Sequence, residues 1–431
     1  MNISVIGLWH LGTVTAACLA NAGHKVKGFD FDKSVTTDLQ NGQPPIYEPG
    51  LENHVKSGLK KSSLSFTSDP AMAFCNAEIV WVTYDTPVDE DDCADVDYVY
   101  KNVINVFEHF EPGTLVLISS QLPAGSTRKF EAAAAEMNLD IHFAYSPENL
   151  RLGKAIEVFT QPDRIVVGIR NEDNKKKIEE MLTPITNHIE WMSVESAEMT
   201  KHALNAFLAT SVVFINEIAT ICESMGADAK EVERGLKSEA RIGPKAYLKP
   251  GGAFAGGTLA RDINYLIQSG AKYKQPTQLI SSVKTSNDEH KLWAYRKLVQ
   301  NLGNLKNKVI SIWGLTYKVG TDTLRRSSSI ELCRLLIDQG AIVQAHDPAI
   351  TKLPDDLQRI YLCETPVDAL KNASALVIAT EWPDYRQVDS KAFVGEMTYP
   401  VIIDANCFIE KNIDNITEIN YFSVGASRGI E

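Results

Sequence analysis

The chain has 431 residues, a formal net charge of −12, and a composition that is 44% hydrophobic and 23% charged. That size suits two or three domains with large cores, and the acidic balance argues against nucleic-acid or anionic-membrane binding, which needs a basic face. Seven cysteines without a Cys-x-x-Cys pair, no basic-then-apolar leader and no apolar run near the ~18–20 residues of a membrane span point to free thiols in a reducing cytoplasm.

Asn2–Gly7 reads as an apolar strand ending in glycine, Thr13–Ala22 as a small-residue helix stopped by Gly23, and Lys25–Asp30 as a second strand ending in an acid. Such a strand–helix–strand unit demands a parallel sheet. The turn Gly7-Leu8-Trp9-His10-Leu11-Gly12 stands where a dinucleotide site carries G-x-G-x-x-G. Gly7 permits the tight turn, and Gly12 lets helix and strand pack closely. Trp9 fills the position where backbone approaches a pyrophosphate, so its side chain must turn away, which a negative φ allows. Asp30 is placed to bond the adenosine ribose hydroxyls, and its charge disfavours the extra phosphate of NADP. NAD is therefore the expected cofactor.

From Glu195 to Met225 there is no glycine or proline, apolar residues recur at helical spacing, and Gly226 follows as a stop. A helix of that length spans on the order of 45 Å at 1.5 Å per residue. It is a natural connector between lobes and a natural dimer surface. The strand–helix–strand pattern then returns with Lys308–Gly314, Ser328–Gln339 closed by Gly340, and Ala341–Asp347. The expected fold is α/β, with two doubly wound Rossmann-like domains joined by a helical region. Expected bounds are 1–190 for the NAD domain, 191–300 for the central dimerising helices and 301–431 for the second doubly wound domain.

Further motifs follow in order. Pro45–Leu51 follows the second strand, and Thr86-Pro87 precedes an acidic loop with Ala94-Asp95. Pro147-Glu148-Asn149-Leu150-Arg151 leads to Pro162–Gly168. Lys201 and Asn205 lie one turn apart on the long helix, so they share a face. Arg241-Ile242-Gly243 precedes Tyr247-Leu248 and the glycine-rich Gly251–Asp262 segment. Gly314–Lys318, Thr321-Asp322, Arg325 and Thr380–Pro383 complete the set. This ordered set resembles the UDP-glucose/GDP-mannose dehydrogenase family over residues 1 to about 425. The nine histidines show no ligand spacing, so no metal is expected, and His10, His202 and His346 read as local polar residues.

The resemblance implies NAD-dependent oxidation of the sugar of a nucleoside-diphosphate sugar, by a cytoplasmic homodimer supplying polysaccharide precursors. By motif position Gly7, Gly12, Asp30 and Thr86 would serve the cofactor. Lys201, Asn205, Asp262, Glu148 and Thr258 would serve the chemistry. Leu150, Arg151, Arg241, Tyr247, Lys318 and Arg325 would serve the substrate, with Arg241 reaching a substrate in the partner subunit. Lys201 and Asn205 would offer an ammonium and an amide to one oxygen. Asp262 would activate water or orient Lys201, and Glu148 would assist water.

The sequence departs from the family pattern at several points. Thr258 stands where the family carries a nucleophilic cysteine, and a threonine hydroxyl is far less acidic than a thiol of pKa ~8.5. Gln121 replaces a threonine, Asp85 a glycine and Thr323 an acid, and Asp404-Ala405-Asn406-Cys407 replaces D-G-R-N. The covalent thioester step is thus expected to be lost. Oxidation would stop at an aldehyde or ketone, or pass through an aldehyde hydrate. The alternative is a non-catalytic sugar-nucleotide binder with a regulatory role.

Overall fold

The computed structural model describes residues 1–87, 94–148, 150–255, 257–413 and 416–428. Cys93, Asn149 and Gly256 lie outside the described residues. The chain forms two compact units, 1–204 and 205–431, taken here in turn.

The first unit holds β1 (Asn2–Ile6), β2 (Lys25–Phe29), β3 (Leu64–Thr67), β4 (Ile79–Val82), β5 (Thr114–Ile118), β6 (Ile141–Tyr145), β7 (Ile165–Ile169) and β8 (Ile189–Ser193). They form one sheet in the order β3-β2-β1-β4-β5-β6-β7-β8, parallel except where β6 meets β7. Central strands are apolar on both faces, as a doubly covered parallel sheet requires. Val5, Ile79, Leu115 and Leu117 pack on one face with Val14, Ala17 and Leu19 of the first helix. Ile6, Val80, Val82 and Ile118 pack on the other with Phe107, Phe130 and Phe143. Each such fully buried Val, Leu, Ile or Phe side chain contributes roughly 1.5–3 kcal/mol.

The first helix runs His10–Asn21, so it begins one turn before the expected Thr13. Gly12 belongs to its opening turn. A Cβ at Gly12 would lie 1.9 Å from the Gly7 carbonyl oxygen, so only glycine lets the helix start that close to β1.

The second unit carries β9 (Val309–Trp313), β10 (Ile342–His346), β11 (Tyr361–Leu362), β12 (Ala375–Ile378), β13 (Val401–Asp404), β14 (Asn420–Ser423) and β15 (Ala426–Arg428). Their order is β11-β10-β9-β12-β13-β14-β15, parallel apart from the β14–β15 pair. Ile310 and Ile312 meet Leu332 and Leu336 of the helix Ser328–Asp338 on one face. Trp313, Leu376, Tyr385 and Phe393 form the core on the other. Ahead of this sheet come the helices Ala229–Ser238, Thr258–Lys272, Gln278–Lys291 and Trp293–Leu302.

The long helix runs Val194–Met225, 32 residues, and ends at Gly226 with φ +75°. By length and composition alone it is long and apolar enough to cross a membrane over one 18-residue window, although its apolar run is not unbroken. Thr, Ser and Asn interrupt the apolar stripe along the helix. Such a helix is also an ordinary protein core element: 44% of that window is buried, and Lys201, His202, Asn205 and Asn216 are among the buried residues.

Candidate active site

The first turn is built for a dinucleotide. Gly7 has φ +93°, and a Cβ there would meet Tyr84 at 2.7 Å. Trp9 keeps φ −83° and its side chain is half exposed, so a bulky residue is tolerated in the turn. Asp30 follows β2; one oxygen takes the Leu8 amide at 2.8 Å and the other the Asp32 amide at 3.0 Å. Each oxygen has accepted one of these donors, which leaves acceptor capacity for a ribose diol. The residues thus fit the adenosine and pyrophosphate of NAD.

The second unit repeats this turn and then closes it. Gly314 has φ +92°, and Asp347 accepts the Leu315 amide at 2.7 Å. Asp347 Oδ2 also takes the Thr316 amide and hydroxyl, both at 2.9 Å, and the Trp382 indole at 3.1 Å. Its other oxygen takes the Ala349 amide at 2.9 Å. The protein fills Oδ2 with four donors, so this acid is a turn-building residue. Beside it, at the carboxyl ends of β9, β12 and β13, opens a cleft of ≈ 180 Å³ lined among others by Gly252, Trp293, Thr316, Tyr317, Ser327 and Asn406. The crevice beyond the strand ends is where doubly wound sheets take ligands.

Each unit holds candidate site residues on its own part of the long helix. In the first unit, Lys201 is buried and donates to the main-chain carbonyl of Glu148. Burial pushes the Glu148 carboxyl up, against the pull of the Lys201 ammonium and the Leu150 amide. Thr86, also buried, donates its hydroxyl to the Gln121 carbonyl at 2.7 Å. In the second unit, Asn205 donates its side-chain amide to Asp262, which is wholly buried. Thr258 is exposed and is the first residue of the helix Thr258–Lys272, after Gly257 at φ +109°.

The other candidates are surface groups. Leu150 packs partly against the first core, and Arg151 is exposed. Arg241 is exposed and paired with Glu239 at 2.9 Å. Tyr247 is largely exposed. Lys318 lies over the Tyr317 ring at 5.9 Å, and Arg325 is exposed.

Two buried acids were not singled out from the sequence. Glu198 takes the Gly125 amide at 2.6 Å and the Thr127 amide and hydroxyl at 2.9 and 2.7 Å. It thereby supplies the negative charge favoured at the start of the helix Ser126–Glu136 and fixes the loop carrying Gln121. Glu48 takes the Gly153 and Ala155 amides at 2.8 and 2.9 Å and His10 at 3.0 Å. Burial alone would raise the Glu48 carboxyl, but these donors outweigh it and hold it below the usual range. The available signal for Glu198 was its place one turn before Lys201, on the helix face shared with Lys201 and Asn205.

A parallel sheet in the order 3-2-1-4-5-6 with an open acid after its second strand, and a buried ammonium beside a carboxyl group, defines an NAD-dependent dehydrogenase. Three matches say which kind. The UDP-glucose/GDP-mannose dehydrogenase family's NAD binding domain matches residues 1–186, its central domain 195–289 and its UDP binding domain 311–411. The UDP-glucose 6-dehydrogenase of Pseudomonas aeruginosa is 32% identical over 421 residues, 94% of this chain and 93% of that protein. UDP-glucose 6-dehydrogenase YwqF of Bacillus subtilis is 32% identical, covering 99% and 98%. A UDP-glucose dehydrogenase structure from the hyperthermophilic archaeon Pyrobaculum islandicum aligns with TM-score 0.84 at 29% identity, covering 99% and 98%. The chain belongs to the UDP-glucose/GDP-mannose dehydrogenase family, and it is an NAD-dependent oxidoreductase acting on a CH–OH group.

Proposed function

We propose that this protein oxidises the sugar of a UDP-sugar for glycan precursor synthesis, without a covalent thioester step. The observation that carries the reading is the buried Lys201 ammonium on the Glu148 carbonyl, in the unit that holds the open dinucleotide turn. The division of labour is 1–190 for cofactor, 191–300 for assembly and the catalytic loop, and 301–431 for the nucleotide.

Gly7, Gly12 and Asp30 seat the cofactor, and Thr86 lines its site. Bound NAD supplies the hydride acceptor. Lys201 and Asn205, one turn apart on one helix, stabilise the oxygen that gains charge as the C–H bond breaks. Asp262 orients the Asn205 amide through its hydrogen bond. Glu148, ionised above its raised pKa, accepts the hydroxyl proton or draws it from water. Leu150, Arg151, Tyr247, Lys318 and Arg325 hold the sugar nucleotide. The hydroxyl of Thr258 takes the family's cysteine position and does not form a thioester, so an aldehyde is released or is oxidised as its hydrate.

A homodimer accompanies this reading. Phe207, Phe214 and Ile221 recur every seven residues on the long helix and are 69%, 46% and 52% exposed, a stripe that a second copy would cover. Arg241 then reaches the partner's substrate. Light scattering gives the oligomeric state, and Phe214→Glu disperses it. The six cysteines among the described residues are free thiols, which favours a cytoplasmic location.

The test is NADH formation on UDP-glucose and a panel of UDP- and GDP-sugars, with product mass. Turnover abolished by Lys201→Ala upholds the reading, and an acid or aldehyde product decides between the hydrate route and a single oxidation. No NADH with a sugar nucleotide still bound would instead assign a non-catalytic, regulatory homologue.

A further inference from the structure

The loop 250–255, which leads into Thr258 and Asp262, has little means of holding itself. Gly251, Gly252, Ala253 and Ala255 offer almost no side chain to pack, and glycine loses the most conformational freedom on ordering. Its backbone is instead gripped by four side chains of the second unit. Asn216, on the long helix, accepts from the Gly251 amide at 3.0 Å and donates to the Gly252 carbonyl at 3.4 Å. His290, on the helix Gln278–Lys291, bonds the Gly251 carbonyl at 2.8 Å. Asn287, one turn earlier, accepts from the Phe254 amide at 3.0 Å and donates to the Phe254 carbonyl at 2.9 Å. Asn406, after β13, accepts from the Gly252 amide at 2.8 Å.

Both backbone groups of Gly251, Gly252 and Phe254 are therefore satisfied by side chains. The chemistry fixes each orientation. A backbone amide must meet the oxygen of Asn216 and of Asn287, and a carbonyl must meet a protonated Nε2 of His290. Asn216, Asn287 and His290 are all buried, so these bonds do not compete with water. A Cβ on Gly251 would lie 2.2 Å from Asn406 Oδ1, so the glycine is part of the grip.

We propose that Asn216, Asn287, His290 and Asn406 form a clamp that positions the glycine-rich loop and, through it, Thr258 and Asp262 for the reaction. The proposal rests on the catalytic reading of that loop. They are positioning residues: a catalytic constellation has to be held within about 0.5 Å of its productive geometry, and a displacement of about 1 Å costs on the order of 100-fold in rate. Asn406 and His290 also line the cleft of the second unit, so the clamp meets the place where the nucleotide is proposed to sit.

The experiment combines hydrogen exchange with turnover on the full-length protein, comparing wild type with Asn287→Ala, His290→Leu, His290→Gln and the half-exposed Asn406→Ala. The clamp requires slow exchange at Gly251, Gly252 and Phe254 in the wild type. Exchange should quicken at least ~10-fold in the Ala and Leu variants, with no change in peptides of residues 1–190. With UDP-glucose and NAD, kcat should fall by roughly 10- to 100-fold while the KM for NAD stays fixed. His290→Gln, which restores a donor, should keep more activity than His290→Leu. Unchanged exchange in Asn287→Ala and Asn406→Ala would overturn the clamp even if no substrate is turned over. Quickened exchange with undiminished kcat would overturn its positioning role. A wild type that shows slow exchange and no turnover would keep the grip and sink the catalytic reading instead.

Discussion

Lys201 donates its ammonium to the main-chain carbonyl of Glu148, 53 residues earlier in the chain. The bond ties the long helix to the segment after β6 and keeps a positive charge beside a carboxyl group that burial pushes up. Removing either group should be far more costly to rate than to stability. Lys201→Ala is expected to lower kcat by ~10²–10⁴-fold, read as NADH absorbance with UDP-glucose, while NAD affinity measured by calorimetry holds.

In its proposed role as proton acceptor, Glu148 should set a pH limb. Its folded-state pKa is raised, so the ionised form needed to accept a proton appears only above the usual carboxylate range, and activity falls as pH drops through that raised value. Glu148→Gln should remove the acid limb along with most of the rate. A limb that survives in Glu148→Gln belongs to another group.

Asp30 should decide which cofactor is used. Asp30→Asn keeps a carbonyl for the Leu8 amide but removes the charge proposed to bond the ribose hydroxyls and to repel the NADP phosphate. Charge-assisted bonds are worth about 1.5–3 kcal/mol, so the KM for NAD should rise roughly 10- to 100-fold and the preference over NADP should shrink. Asp347→Asn, at the second turn, should lower the melting temperature and leave that preference intact.

Thr258→Cys tests the proposal that Thr258 stands at the family's cysteine position. The position is the first residue of a helix, where the amide ends favour a thiolate below the ordinary ~8.5. The new thiol should be alkylated by iodoacetamide faster than an unperturbed cysteine at neutral pH, with the rate climbing with pH through a midpoint below the ordinary ~8.5, and the share of acid product should grow. Alkylation with the pH dependence of a free thiol would remove the helix N-terminus from the account.

Glu195 should make stability acid-sensitive. Arg170 hydrogen-bonds it at 2.8 Å, with Arg128 at 2.8 Å, and Arg170 above all lowers its pKa to about 2. A depressed carboxyl pKa contributes stability above the unfolded value of ~4.3, and that contribution is lost as pH falls towards about 2. The pair is partly exposed, so the contribution is discounted to about 1 kcal/mol. Urea midpoints of wild type and Arg170→Gln should differ near neutrality and converge at about pH 2.

Much of the fold was legible because it is written in local periodicity. The two strand–helix–strand starts, the long helix up to Gly226, and the glycine and acid of each turn follow from spacing and from the steric uniqueness of glycine. The turns also show where that legibility ends. Gly7 with Asp30 and Gly314 with Asp347 look alike in sequence, yet Trp382, 35 residues beyond Asp347, closes the second one. The start of the first helix moved to His10 because the fit of Gly12 against the Gly7 carbonyl is a contact in space.

The sequence by itself determined the doubly wound units, the candidate cofactor turn and the residue types that handle protons, since these depend on near neighbours in the chain. Only the tertiary structure decided which polar groups meet: Glu198 with Gly125 and Thr127, Glu48 with His10 and the amides of Gly153 and Ala155, and the four side chains on the loop before Thr258. A buried donor or acceptor must find its partner wherever the packed chain brings one, and sequence separation carries no record of that meeting.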